Sequence, residues 1–169
     1  MTRERLELAL SSHAAGDLPR AEAIYRAILD EIPDQPDALH FLGILLHQKD
    51  RSDAGLDLVV RSLQLAPHRA DWHNDKGNML VERGAYSAAA EAFSKATQLE
   101  AENPVTWNNL GSVLEKLGQH HDAEAAFGKP LPSIRNFPIR STTWATCWQR
   151  RAERSKLPIT IAGLTCCSH

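Results

Sequence analysis

The chain has 169 residues, a formal charge of −2 and 24% charged side chains, and it contains no apolar run long enough to span a bilayer. Residues Met1 to Leu10 alternate charged and apolar side chains without the apolar core of a secretory signal, so a soluble, cytoplasmic protein without a membrane partner is expected. The cysteines, Cys147, Cys166 and Cys167, all lie in the last quarter of the chain, which excludes disulfides as a support for what precedes them.

From Thr2 onward the sequence repeats with a period of 34 residues. The first copy, about 2–35, carries Ala9, Gly16, Ala21, Tyr25 and Pro33. The second, about 36–69, opens on Pro36 and places Gly43, Gly55, Val59 and Pro67 in the same frame. The third, about 70–103, continues with Gly77, Gly84, Ala89 and Phe93. The fourth, about 104–127, opens on Pro104 and carries Gly111, Gly118, Ala123 and Phe127. Four copies in one register make a stacked array, whose function resides in a surface and not in a single pocket.

Each column has a physical task in a helix-turn-helix unit. Small residues inside helices let neighbouring axes approach, and the mid-repeat glycines end a helix by adopting positive φ. Leu42, Leu45 and Leu46, like Leu110, Val113, Leu114 and Leu117, follow the three-and-four spacing of a helix with one buried face. Prolines stop one unit and start the next. The expected fold is all-α, a right-handed α-solenoid of about four helix-turn-helix units over residues 2–127, followed by an irregular C-terminal tail at 128–169.

With Trp107, Leu110, Gly111 and Leu114 followed by Gly118, Ala123 and Phe127, the chain resembles tetratricopeptide repeat proteins over about three quarters of its length. It departs from that pattern at Arg5, where an aromatic belongs, at Ala9 for glycine, at Gly55 for alanine and at Lys76 for leucine.

The tail breaks the pattern. Gly128-Lys129-Pro130-Leu131-Pro132 ends the second helix of the fourth unit, because proline lacks the donor and clashes with the preceding turn. Beyond Phe127 there are seven Lys or Arg against one Glu, whereas the preceding residues are net acidic. Trp144 and Trp148 among those cations allow a nucleic-acid arm, but a shifted reading frame accounts for more. In that frame the Trp144-Ala145 junction spells glycine one period after Gly111, and Cys147-Trp148 spells leucine one period after Leu114. A frameshift near residue 128 is therefore expected to hide a fifth repeat, leaving a tail that is disordered or only locally helical. The lost cap exposes the end of the array and favours self-association there.

No cleft nucleophile or base with an orienting partner is legible, so no catalytic residue, cofactor or small-molecule substrate is expected. His120 and His121 are adjacent on a helix and point about 100° apart, which disfavours a metal site. Cys166-Cys167 matches neither a metal pair nor a prenylation terminus. The resemblance implies that first helices line a concave groove for a protein or peptide partner, where asparagines supply both donor and acceptor to a peptide backbone. The matching positions are His40 and His47 in the second copy, Asn74 and Asn78 in the third, and Asn108, Asn109 and Ser112 in the fourth, with Ile44 also in that frame. The repeats are also similar to the substrate-recruiting region of bacterial O-linked N-acetylglucosamine transferase-like proteins, which implies an alternative: the repeat part of a glycosyltransferase, inactive without its catalytic domain.

Overall fold

A computed structural model describes residues 2–129. Among these residues there are eight α-helices and no strand: α1 (Thr2–Ala14), α2 (Leu18–Glu31), α3 (Pro36–Gln48), α4 (Ser52–Leu65), α5 (Ala70–Glu82), α6 (Tyr86–Leu99), α7 (Pro104–Lys116) and α8 (His120–Phe127). The odd helices begin at 2, 36, 70 and 104 and the even ones at 18, 52, 86 and 120, so the 34-residue period sets both helices of every pair. Each helix packs against its neighbours in sequence, which is the connectivity of an α-solenoid.

Local chemistry explains where the helices start and stop. Pro36 and Pro104 occupy the first helical turn, where the missing N–H costs nothing. The Asn103 side chain caps α7 by accepting from the Val105 and Thr106 amides at 3.1 and 3.4 Å, and Gln35 does the same for α3 at Ala38. The turn inside each pair closes with an i to i−5 backbone bond, from Asp17 to Ser12, Arg51 to Leu46, Ala85 to Leu80 and Gln119 to Leu114. This turn requires positive φ, found at Gly16 (80°), Gly84 (74°) and Gly118 (76°). The second unit reaches it with Asp50 at 59°, a conformation that costs an L-residue with a Cβ roughly 1–2 kcal/mol.

Inside a pair, the small-residue columns define how closely the helices approach. A Cβ on Gly77 would stand 2.5 Å from the Phe93 ring, and one on Gly111 2.6 Å from the Phe127 ring, so in these units glycine makes room for an aromatic ring. In the second unit the ring is replaced by Val59, and the two backbones close the gap: a Cβ on Gly55 would lie 2.5 Å from the Gly43 carbonyl oxygen. Gly55, a departure from the repeat pattern, is thus the partner of Gly43 in a backbone-to-backbone crossing of α3 and α4.

The buried side chains form three clusters. Ala9, Ala21, Tyr25, Leu42, Leu45 and Leu46 join the first pair to α3. Val59, Leu63, Trp72 and Met79 form the seam between α4 and α5. Leu80, Phe93, Leu110, Val113 and Ala126 hold the last two pairs together. Burial pushes the Tyr25 hydroxyl up to about 12, in keeping with its place inside the first cluster. α8 ends at Phe127 after 8 residues, against 14 in each of α2, α4 and α6, immediately before the Pro130-containing run that stops it. The expectations of a frameshift, a hidden fifth repeat and an uncapped end fall on or beyond residues 130–169 and lie outside the described residues.

Candidate functional site

One face of the array is built from the first helix of each pair, α1, α3, α5 and α7. Side chains on neighbouring first helices meet with an offset of 35 residues, one period plus one. His13 Nε2 donates to Gln48 Oε1 at 3.0 Å, His40 Nε2 to Asp75 Oδ2 at 3.1 Å, and His47 Nε2 to Glu82 Oε2 at 2.8 Å. At the next junction Asn109 Nδ2 donates to Asn74 Oδ1 at 3.1 Å. At the α3–α5 junction two rungs stand seven residues, or about two turns, apart on each helix.

The rungs differ in character along the array. At the α3–α5 junction both pair a histidine with a carboxylate. At α5–α7 the contact is an amide network, since Asn109 Nδ2 also reaches Asn78 Oδ1 at 3.5 Å. Asn78 and Asn108 are exposed there, while Asn74, Asn109 and Ser112 are half-buried. Beside this network lies a hollow of about 100 Å³ with Val81, Phe93 and Val113 in its lining and Asn78, Asn109, Ser112 and Lys116 completing it. The structure thus brings together Asn74, Asn78, Asn109 and Ser112. Asn108 lies on the same helix without a hydrogen bond to that network among the described contacts.

His40 does not belong with them as an open groove residue. It is 1% exposed, its ring stacked on Trp72 at 4.4 Å with 7° between planes. Arg69 places its guanidinium 4.2 Å from the same Trp72 ring and is held by Asp71 and Asp37. The Arg69 hydrogen bond holds the Asp71 carboxyl below its ordinary value despite burial. His40 is a seam residue between α3 and α5: its position in the frame is a groove position, but the large Trp72 ring covers it. His47 is half-buried and committed on both nitrogens, with Nε2 2.8 Å from Glu82 Oε2 and Nδ1 3.0 Å from Ser52 Oγ.

Sequence reading missed Asp75, Glu82, Gln48 and Lys116. For Asp75 and Glu82 the signal was present, since they stand 35 residues after His40 and His47, but a strict 34-residue comparison passes over it. A second substitution is also explained by geometry. Trp107 Nε1 donates to the Ala101 carbonyl at 2.7 Å, and one period earlier His73 Nε2 donates to the Pro67 carbonyl at 3.0 Å. Histidine keeps the ring donor with a smaller ring. Burial pushes the His73 imidazole below its ordinary value, against the opposing pull of the Pro67 carbonyl, with Lys76 and Lys95 adding repulsion.

An array of helix pairs at a constant 34-residue period, fastened between first helices and presenting one continuous face, defines a helical repeat scaffold. The TPR repeat pattern matches residues 77–118. The human protein O-mannosyl-transferase TMTC1 is 26% identical over 134 residues, covering 77% of this chain and 15% of that protein. Cellulose synthase operon protein C of Pseudomonas fluorescens (strain SBW25) is 32% identical over 126 residues, covering 70% of the chain and 10% of that protein. The chain therefore spans a small fraction of the curated relatives it matches. Among solved structures, MamA aligns with a TM-score of 0.71 at 17% identity over 92% of this chain and 81% of its own. The 41-to-end form of MamA from Desulfovibrio magneticus RS-1 gives 0.71 at 19% identity over 81% and 78%. Residues 77–118 thus carry the TPR repeat, and the chain shares the all-helical fold of these solved structures. Among the described residues, no helix is long and apolar enough to cross a membrane, and no group of three or more His, Cys, Asp or Glu could hold a metal ion.

Proposed function

We infer that the first-helix face binds an extended peptide segment of a partner protein, and that it acts by binding and not by catalysis. The observation that carries this reading is the amide network of Asn74, Asn78 and Asn109 across α5 and α7. Asn109 spends its Nδ2 on the other two amides, and its Oδ1 has no protein partner among the described residues; the Nδ2 groups of Asn74 and Asn78 are likewise unspent. A ledge with one acceptor and two donors matches the alternating N–H and C=O of an extended backbone, which must otherwise lose its water without replacement. Ser112 and Asn108 stand beside the ledge on α7.

The test is a pull-down with the full chain, compared with the combined variant Asn74→Ala/Asn108→Ala/Asn109→Ala, with helicity measured for both. Loss of bound partners at unchanged helicity is the expected result; the same partners retained at the same strength would refute the reading. A second reading, the recruiting repeats of a longer glycosyltransferase, is favoured by the match to a protein O-mannosyl-transferase of which this chain spans only a part. In that case the groove would carry the same peptide chemistry, and the coding sequence downstream of residue 127 in close relatives would continue into a sugar-nucleotide domain.

A further inference from the structure

We propose that the hollow between α5 and α7 is a specificity subsite that takes one aliphatic side chain, Val, Leu or Ile, from a peptide segment that also carries Asp or Glu. The inference rests on the groove reading above and gives it a ligand chemistry. At about 100 Å³ the hollow is a fraction of the size of a small-molecule pocket and has room for one side chain. Its interior is apolar. Phe93 and Val113 are 1% and 2% exposed and belong to the last core cluster, and Val81 is half-buried beside them. These groups are fixed by the packing of α5, α6 and α7, so the hollow is preformed and an incoming side chain orders nothing else.

The surroundings define how the side chain arrives. Asn78 and Asn109, joined at 3.5 Å, line the hollow together with Ser112. A peptide whose backbone lies on that amide ledge directs alternate side chains toward the protein, as a β-strand does, and the hollow lies next to the ledge to receive one of them. Charge selects the neighbour. Lys116 also lines the hollow and lies 5.4 Å over the Tyr86 ring, without an ion-pair partner among the described residues. A carboxylate on the peptide supplies the missing partner, whereas a lysine or arginine there meets an uncompensated like charge.

Burying one aliphatic side chain corresponds to roughly tenfold to a hundredfold in affinity. The experiment uses immobilised, acetylated twelve-residue peptides with Gly, Val, Leu, Trp or Lys at the centre of a Gly/Ser frame, each with Asp or Lys two residues away. They are probed with the full chain, with Ser112→Trp, which fills the mouth of the hollow, and with Val81→Ala, which enlarges it. Leu or Val with Asp is expected to bind at least tenfold above Gly with Asp. Ser112→Trp should reduce Leu to the level of Gly, and Val81→Ala should move the preference from Val toward Leu. Equal binding of Gly and Leu, a preference for Trp or Lys centres, or a Leu preference that survives Ser112→Trp overturns the subsite. If such peptides still need Asn74, Asn108 and Asn109, the groove reading stands without it; if binding ignores those asparagines as well, both readings fall.

Discussion

Replacing Gly55 by alanine restores the residue that the repeat pattern calls for and is expected to destabilise the protein. Two effects oppose each other. Alanine is favoured over glycine within a helix by about 0.8–1 kcal/mol, and Gly55 lies within α4. The new Cβ, however, would stand 2.5 Å from the Gly43 carbonyl oxygen and 3.1 Å from the His47 amide nitrogen. Both are backbone atoms of α3, so no side-chain rotation relieves the contact. Reaching ordinary van der Waals separation requires α3 and α4 to part by about 1 Å, which also withdraws Val59 from the packed interface. Overpacking of this kind costs about 1–3 kcal/mol, and a contact between two backbones lies toward the upper end, so the net expectation is a loss of up to about 2 kcal/mol. Urea unfolding followed by far-ultraviolet circular dichroism reads it as a lower midpoint at unchanged slope. The reverse change one period later, Ala89→Gly, should also destabilise, because Gly77 there faces the Phe93 ring and leaves room for the methyl group. A Gly55→Ala variant as stable as the parent, or more so, would refute the backbone-to-backbone crossing.

Asp50→Gly should raise stability by about 0.5–1 kcal/mol, since glycine removes the cost of the 59° φ but adds freedom to the unfolded chain; an unchanged or lower urea midpoint counts against it. The depressed His73 imidazole sets a sign for pH. The unfolded chain takes up that proton first as pH falls, so the stability it contributes is complete above the ordinary histidine value of about 6.5 and declines below it. His73→Gln should therefore show a shallower loss of stability between about pH 7 and pH 5, and an identical slope for the two proteins would remove His73 as the source.

The period made most of the fold legible, because each column reports a backbone requirement: the positive-φ turns at Gly16, Gly84 and Gly118 and the capped starts at Pro36 and Pro104 all fall where the frame places them. What the frame could not convey is compensation between columns. Gly55 counts as a loss when scored alone and becomes intelligible only beside Gly43 and Val59, and His73 replaces a tryptophan while keeping its hydrogen bond. Of the candidate site the sequence conveyed positions along the first helices, and not the contacts that those positions make. His40 shares a column with Asn74 and Asn108, yet Trp72, a residue outside the repeat pattern, buries it. The hollow beside Asn109 was not legible at all, since it is made by Val81, Phe93 and Val113 from three different helices.

The same amides fasten α5 to α7 and form the proposed ledge, so an alanine at Asn109 weakens both and cannot separate them. Asn109→Asp can. The carboxylate has the shape of the carboxamide but no donor, and the amides of Asn74 and Asn78 answer by rotating to donate their Nδ2 groups to it. The fastening survives as charge-assisted hydrogen bonds, and stability should change by no more than about 0.5 kcal/mol. The rotation consumes the donors that would hold the peptide carbonyls and turns their oxygens outward. Any peptide that the parent binds through this ledge should therefore bind Asn109→Asp at least about tenfold more weakly, the loss expected for about one well-formed hydrogen bond. Titration of such a peptide, with urea unfolding of the same samples, gives both quantities. Weak binding together with a large loss of stability would mean that the network is only a fastening; unchanged binding at unchanged stability would mean that the peptide lies elsewhere.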